Sequence, residues 1–296
     1  SVTAFAPATV SNVACGFDVL GFALDAPGDE VTARFMTAGS SGAAIEDIAG
    51  DDGRLPREAA RNTAGVAALG LPLSSGLGGS AASAAAAVVA VDALLGARSS
   101  TDVLISCALE GERLGAGSAH ADNIAPSICG GFVLVRSAHP PDIVRLPVPA
   151  GLTAVVVHPA LEIETARARA LLGTTVPLAE AVRQWANMGA LVDGLHRGDF
   201  ALISRALEDT IAEPRRAVLI PGLASIKRAA VQAGALGCSL SGSGPSLFAL
   251  CATPALATRV AEAMTAEGRA QIGGESQTYV SPIASRGARV LSSCAS

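Results

Sequence analysis

The sequence predicts a mixed fold, α/β or α+β, with a core built from small aliphatic side chains. Three observations carry that expectation. Short β-type runs alternate with helix-length apolar patterns along the chain. Half of the 296 residues are apolar while aromatics make up 3%, so Ala, Val and Leu must fill the interior through close backbone packing. Glycine-rich stretches stand between the runs, where chains turn tightly or approach one another closely.

Taken in order, 2–7 and 31–36 read as strands, and 17–24 is an apolar segment punctuated by Gly16 and Gly21. Asp25-Ala-Pro-Gly-Asp29 reads as a turn. The Gly-, Ser- and Asp-rich stretch 38–56 reads as exposed, and Arg61-Asn-Thr-Ala starts a short helix with Asn62 or Thr63 as its cap. Helices follow at 81–95 and 102–113, then β-type runs at 132–136 and 152–157. Between those runs, Pro140, Pro141, Pro147 and Pro149 mark an expected boundary separating a domain at 1–147 from one at 148–296. Helical patterns at 164–172, 178–196, 199–211 and 223–233 dominate the second part. A glycine loop over 237–252 leads into a strand at 247–251, before a helix at 255–267 and a strand at 277–280. No internal repeat is evident.

The formal net charge is −5, which argues against a broad nucleic-acid surface. Arginine supplies nearly all the positive charge and is suited to forked contacts with carboxylate and phosphate. The six cysteines show no C-x-x-C pair and no zinc spacing, the pattern of buried thiols in a reducing compartment. No basic segment precedes an apolar run at the start of the sequence, and 81–95 is too short to span a bilayer and is interrupted by Asp92. The expected protein is cytoplasmic, with neither nucleic acid nor membrane as partner. Its alanine-rich helices leave room for a homodimer.

Two stretches carry chemistry. Pro72-Leu-Ser-Ser-Gly-Leu-Gly-Gly-Ser-Ala-Ala-Ser83 opens directly into the alanine-rich helix, whose free amides and positive dipole end suit a phosphate. A Walker loop needs a lysine after its last glycine, and the chain's lysine, Lys227, lies far away in sequence. Gly76-x-Gly78-x-x-Ala81 fits a dinucleotide fingerprint, but Leu71-Pro-Leu-Ser is a poor strand and Asp92 and Asp102 stand at the wrong offsets. A plain Gly/Ser connection capping a buried helix is the bland alternative. The second stretch is His120-Ala-Asp-Asn123.

Taken together, four blocks resemble the GHMP small-molecule kinases, in the form found in homoserine kinases. Pro7-Ala-Thr-Val-Ser-Asn-Val-Ala-Cys-Gly-Phe-Asp-Val-Leu-Gly21 is similar to the first homoserine kinase signature, and the loop at 72–83 to the second GHMP signature. Gly237-Cys-Ser-Leu-Ser-Gly-Ser-Gly-Pro-Ser-Leu-Phe248 is similar to the third, and His120-Ala-Asp-Asn-Ile-Ala-Pro126 with Gly130-Gly-Phe resembles the segment between. The resemblance implies an α+β, two-domain fold, N-terminal ribosomal-S5-like and C-terminal ferredoxin-like, with substrates in the cleft between. It implies γ-phosphoryl transfer from Mg-ATP to the hydroxyl of L-homoserine, a step of threonine biosynthesis.

It also implies roles for individual residues. ATP would be held by Asn62 and the loop Pro72, Leu73, Ser74, Ser75, Gly76, Leu77, Gly78, Gly79, Ser80 and Ala81, and Mg²⁺ by Ser80 and Glu112, with Glu110 as rival. Few protein ligands suffice for Mg²⁺. The amino-acid substrate would meet Asn12, Asp18, His120, Asn123, Thr165, Arg169 and Arg216, with Arg167 and Arg215 as alternatives to the two arginines. Asp18 is read as the partner of the hydroxyl or the ammonium, or else as a turn aspartate bonding its own backbone. Asn123, His120 and Arg169 are the residues expected at the reacting groups. An amide is no base near neutral pH, so the implied catalysis is positioning and electrostatic stabilisation. His120 is either a base or a structural histidine. The chain departs from the family in two places: Gly79 replaces a serine, and the stretch before Leu71 is shorter than in relatives.

Overall fold

The computed structural model describes residues 1–36, 44–50, 57–58, 62–63, 79–96, 99–116 and 119–294. Its strands are β1 (Val2–Ser11), β2 (Leu20–Ala33), β3 (Phe132–Ala138), β4 (Pro141–Leu146), β5 (Thr153–His158), β6 (Gly237–Leu240), β7 (Leu247–Cys251), β8 (Gln277–Pro282) and β9 (Arg289–Ser293). Its helices are α1 (Gly79–Leu94), α2 (Thr101–Ala116), α3 (Ala121–Cys129), α4 (Thr165–Ala170), α5 (Leu178–Arg197), α6 (Phe200–Ala206), α7 (Ala212–Arg216), α8 (Leu223–Gln232) and α9 (Pro254–Ile272). The strands form a five-stranded sheet in the order β4-β3-β2-β1-β9 and a four-stranded sheet in the order β6-β7-β5-β8. Every pairing among the described residues is antiparallel.

Side-chain alternation builds the layers. On β5, Ala154 and Val156 face a core shared with Phe22, Phe132, Leu191 and Ile203, while Val155 and Val157 face α8 and α9. On β7, Phe248 and Leu250 join the first core, and Leu247, Ala249 and Cys251 the second. Three of the scarce aromatics meet between the two sheets. Phe22 lies 5.2 Å from Phe132 and edge-on to Phe248 at 5.9 Å. A third core packs α1, α2 and α3 on the first sheet, and there the alanine reading holds. Ala81, Ala84, Ala85, Ala86 and Ala90 are fully buried beside Ala4 and Ala6, as expected for a helix that is apolar all round.

Several elements differ from the sequence expectations. The expected turn at Asp25–Asp29 lies inside β2. Pro7 pairs with Gly28 and Thr9 with Ala23, so one residue of β1 faces four of β2. The extra residues arch out of the ladder to the other sheet, where Asp25 N–H donates to Ser281 Oγ at 2.8 Å and Leu24 bridges Ile283. The pattern at 199–211 ends early as α6, and a separate short α7 follows. α3 was hidden by Pro126, a residue expected to break helices. It is accommodated because the Asp122 carbonyl, deprived of that N–H, faces Gly21, where even a Cβ would come within 1.8 Å of it. β4 and β9 are half exposed or exposed through most of their length and give no strong alternation. The cysteines are free thiols, but only Cys15, Cys238 and Cys251 are buried as expected, while Cys107 and Cys294 are exposed; no helix among the described residues is long and apolar enough to cross a membrane.

Asp29 pins α1 to β2. Its Oδ2 accepts from Ser83 Oγ at 2.5 Å, while Oδ1 is buried without a partner among the described residues. Burial pushes this carboxyl up to about 7, against the opposing pull of the Ser83 bond. A carboxyl whose pKa is higher folded than unfolded binds more protons in the native state across that interval. Stability from Asp29 is therefore full below the unfolded value near 3.8 and is lost as pH rises to about 7. Asp29→Asn should flatten urea-midpoint stability between pH 4 and pH 7 and exceed the parent at pH 8; an unchanged slope would contradict this assignment.

Candidate active site

The turn between β1 and β2 sets the site's floor. Asn12, Ala14 and Asp18 all take positive φ, at 55°, 47° and 58°, strained for side-chain-bearing residues. Hydrogen bonds compensate. Asn12 Oδ1 accepts from Asp18 N–H at 2.7 Å, and Asn12 N–H donates to Asp122 Oδ2 at 3.0 Å. The Asp18 carboxylate is thereby free of its own backbone and meets Arg169 in a two-pronged pair at 3.0 and 2.8 Å. Such a fork is among the stronger side-chain contacts.

Two arginines converge on this turn. Arg169, on α4, lies over the Phe17 ring at 5.6 Å, and Arg216, on α7, over the same ring at 5.2 Å. Arg216 is 3% exposed and donates to Gly242 carbonyl at 2.9 Å, in the glycine loop between β6 and β7. The Asp18 hydrogen bond holds the Arg169 guanidinium more firmly charged, whereas burial, reinforced by Arg169, lowers the pKa of Arg216. The rival arginines go elsewhere. Arg167 is exposed, and Arg215 pairs with Glu180 at 3.0 Å. Thr165 begins α4, one turn from Arg169, with its hydroxyl 3.3 Å from Ser243 Oγ.

α3 supplies the opposite wall. His120 precedes it, and Asn123 Oδ1 accepts from Thr9 Oγ1 at 3.0 Å. Glu112, on α2, is 2% exposed and accepts from His120 N–H at 2.8 Å, with its other oxygen 3.7 Å from His120 Nδ1. Glu110, its rival, is exposed and pairs with Arg113. Burial opposes a charge on His120, but the Glu112 carboxylate outweighs it and raises the ring's pKa. Asp122, between His120 and Asn123, accepts from the Asn12 N–H and so ties α3 to the turn. Burial, with Asp18 nearby, pushes its carboxyl up to about 7.

The structure thus brings Asn12, Asp18, His120, Asn123, Thr165, Arg169, Arg216 and Glu112 into one connected neighbourhood. Ser80 and Ala81 lie in the first turn of α1, and Asn62 is buried. Pro72, Leu73, Ser74, Ser75, Gly76, Leu77 and Gly78 lie outside the described residues. The oxygens of Ser80 and Glu112 are hard donors of the kind Mg²⁺ takes, so the donor chemistry fits that ion.

Comparison with known proteins settles the family. Residues 63–131 match the GHMP kinases N terminal domain and residues 191–270 the GHMP kinases C terminal domain. Homoserine kinase of Chlorobium phaeobacteroides (strain BS1) is 46% identical over 318 residues, covering 98% of this chain and 99% of that protein. The chain belongs to the homoserine kinases. A second member of that family, from Chlorobaculum tepidum, is 45% identical over 99% of this chain and 98% of its own length. The crystal structure of homoserine kinase from Cytophaga hutchinsonii shares 47% identity with a TM-score of 0.91, covering 98% of this chain and 97% of that one. The α+β GHMP kinase fold expected from the resemblance is the observed one, and the chain is a phosphotransferase of that family.

Proposed function

We propose that this chain transfers the γ-phosphoryl group of ATP to the hydroxyl of L-homoserine, giving O-phospho-L-homoserine for threonine synthesis, in a cytoplasmic setting. The observation that carries this reading is the Asp18–Arg169 fork with Arg216 beside it. A zwitterion can exchange that one ion pair for two: its ammonium toward Asp18, its carboxylate toward Arg169 and Arg216. Asn12 and Thr165 complete the amino-acid side. ATP belongs at the start of α1, with Asn62, the loop 72–78, Gly79, Ser80 and Ala81, where helix amides suit phosphate. Mg²⁺, when bound by Ser80 and Glu112, neutralises charge on the phosphates. In this reading residues 1–147 form the nucleotide half and 148–296 the other.

Catalysis rests on placement. With its oxygen occupied by Thr9, Asn123 presents an NH₂ donor to the reacting oxygens, and it has no basic atom to take a proton. His120 is held by Glu112 as a support. Asn123→Ala should therefore lower kcat by about a hundredfold, and His120→Ala by less. A loss of four or more orders of magnitude for His120→Ala, with collapse of one limb of the pH–rate profile, would instead make the histidine the base.

The test is ADP release with Mg-ATP and a panel of L-homoserine, mevalonate, galactose, L-serine and L-threonine. Turnover confined largely to L-homoserine supports the proposal; preferential turnover of another alcohol overturns the substrate assignment.

A further inference from the structure

Gln184 has no feature in sequence that announces it. It lies on α5, is 8% exposed, and uses every hydrogen-bonding position of its amide. Nε2 donates to the Cys15 carbonyl at 3.1 Å and to Asp209 Oδ1 at 3.0 Å. Oε1 accepts from Thr210 N–H at 2.8 Å and from the Thr210 hydroxyl at 2.9 Å. Reversing the amide would set NH₂ against N–H and carbonyl against two oxygens, so the network fixes its orientation.

The two acceptors of its Nε2 belong to opposite sides of the amino-acid site. Cys15 lies in the turn that carries Asn12, Phe17 and Asp18. Asp209 organises the start of α7, accepting from the backbone N–H groups of Ile211, Ala212 and Glu213 at 2.8, 2.9 and 2.8 Å. Four residues beyond Ala212, α7 presents Arg216. Glu213 ties the same helix to the second sheet through Ser239 Oγ at 2.5 Å and to α8 through Lys227. With α7 so anchored, the Gln184 amide relates it to the Asp18 turn at a defined separation.

We propose that Gln184 is a positioning residue for the amino-acid substrate, setting the span between the turn bearing Asp18 and the helix bearing Arg216. This rests on the reading that the substrate's ammonium and carboxylate are held by those two elements. A small misplacement of well-oriented contacts costs much of their effect. In that same reading ATP is held at the start of α1 rather than by α5 or α7, so the effect should be confined to the amino acid.

The test compares KM for L-homoserine and for ATP in the wild type, Gln184→Leu and Thr210→Val. Met264→Ala, a buried site on α9 remote from the link, controls for lost stability. Gln184→Leu should raise KM for L-homoserine about tenfold or more, with KM for ATP within about twofold. Thr210→Val should shift it about threefold in the same sense, and it decides the matter alone if Gln184→Leu does not fold. Met264→Ala should lower the melting temperature without separating the two KM values. A folded variant in which both KM values rise together, or neither moves, overturns the proposal. A wild type that turns over another alcohol but not L-homoserine overturns the substrate reading and this inference with it.

Discussion

Arg169→Ala is expected to reduce kcat/KM for L-homoserine by about three orders of magnitude, while KM for ATP stays within about twofold. Two charge-assisted hydrogen bonds to a carboxylate contribute about 4 kcal/mol together, and each 1.36 kcal/mol is a factor of ten in rate. The variant also leaves Asp18 without the two-pronged partner seen at 3.0 and 2.8 Å. At 39% side-chain exposure, Asp18 can turn to water, so the fold should survive. Arg169→Lys keeps the charge without the fork and should fall between the two. Steady-state kinetics with each substrate varied in turn decide the point. A loss below about tenfold in Arg169→Ala would remove this arginine from the substrate's carboxylate.

Gly21→Ala should be among the most destabilising single substitutions available. An added Cβ would come 1.8 Å from the Asp122 carbonyl oxygen, 2.9 Å from its carbon and 3.1 Å from Pro126 Cγ. The first two are backbone atoms and cannot swing aside, so α3 would have to move off β2. The expected loss exceeds about 3 kcal/mol, read as a drop in the denaturant midpoint at unchanged slope. Any folded remainder should be impaired in kcat, because α3 carries Asn123. Full stability in this variant would mean that α3 does not pack on Gly21 as described.

Much of this was legible because the chemistry is written locally. Glycine clusters and the continuous apolar runs of β5 and β7 are short-range signals, and α1, α5, α8 and α9 follow from apolar runs near their observed bounds. α3 was not legible, because its tolerance of Pro126 depends on Gly21, 105 positions upstream in the numbering. β9 was not, because its residues are exposed and its partner is β1. At the site, the resemblance favours Arg169 over Arg167 and Glu112 over Glu110, and the fold sets the alternatives on the surface, Arg167 exposed and Glu110 paired with Arg113. Gln184 and Asp122 were missed for the same reason: a buried amide or carboxyl with distant partners looks like any other in a string of letters.

The pairing of β9 with β1 bears on how the protein is made. Val2 opposes Ser293 and Phe5 opposes Arg289, so β1 gains its second neighbour only when β9, the last of the described strands in chain order, has been made. Until then one edge of β1 offers unpaired amides and carbonyls to any neighbouring strand. Contacts of such long sequence separation form late and slowly. The nascent chain therefore carries an open margin from the emergence of β1 until that of β9, and that interval, more than the finished enzyme, is where chaperone holding would protect it from aggregation.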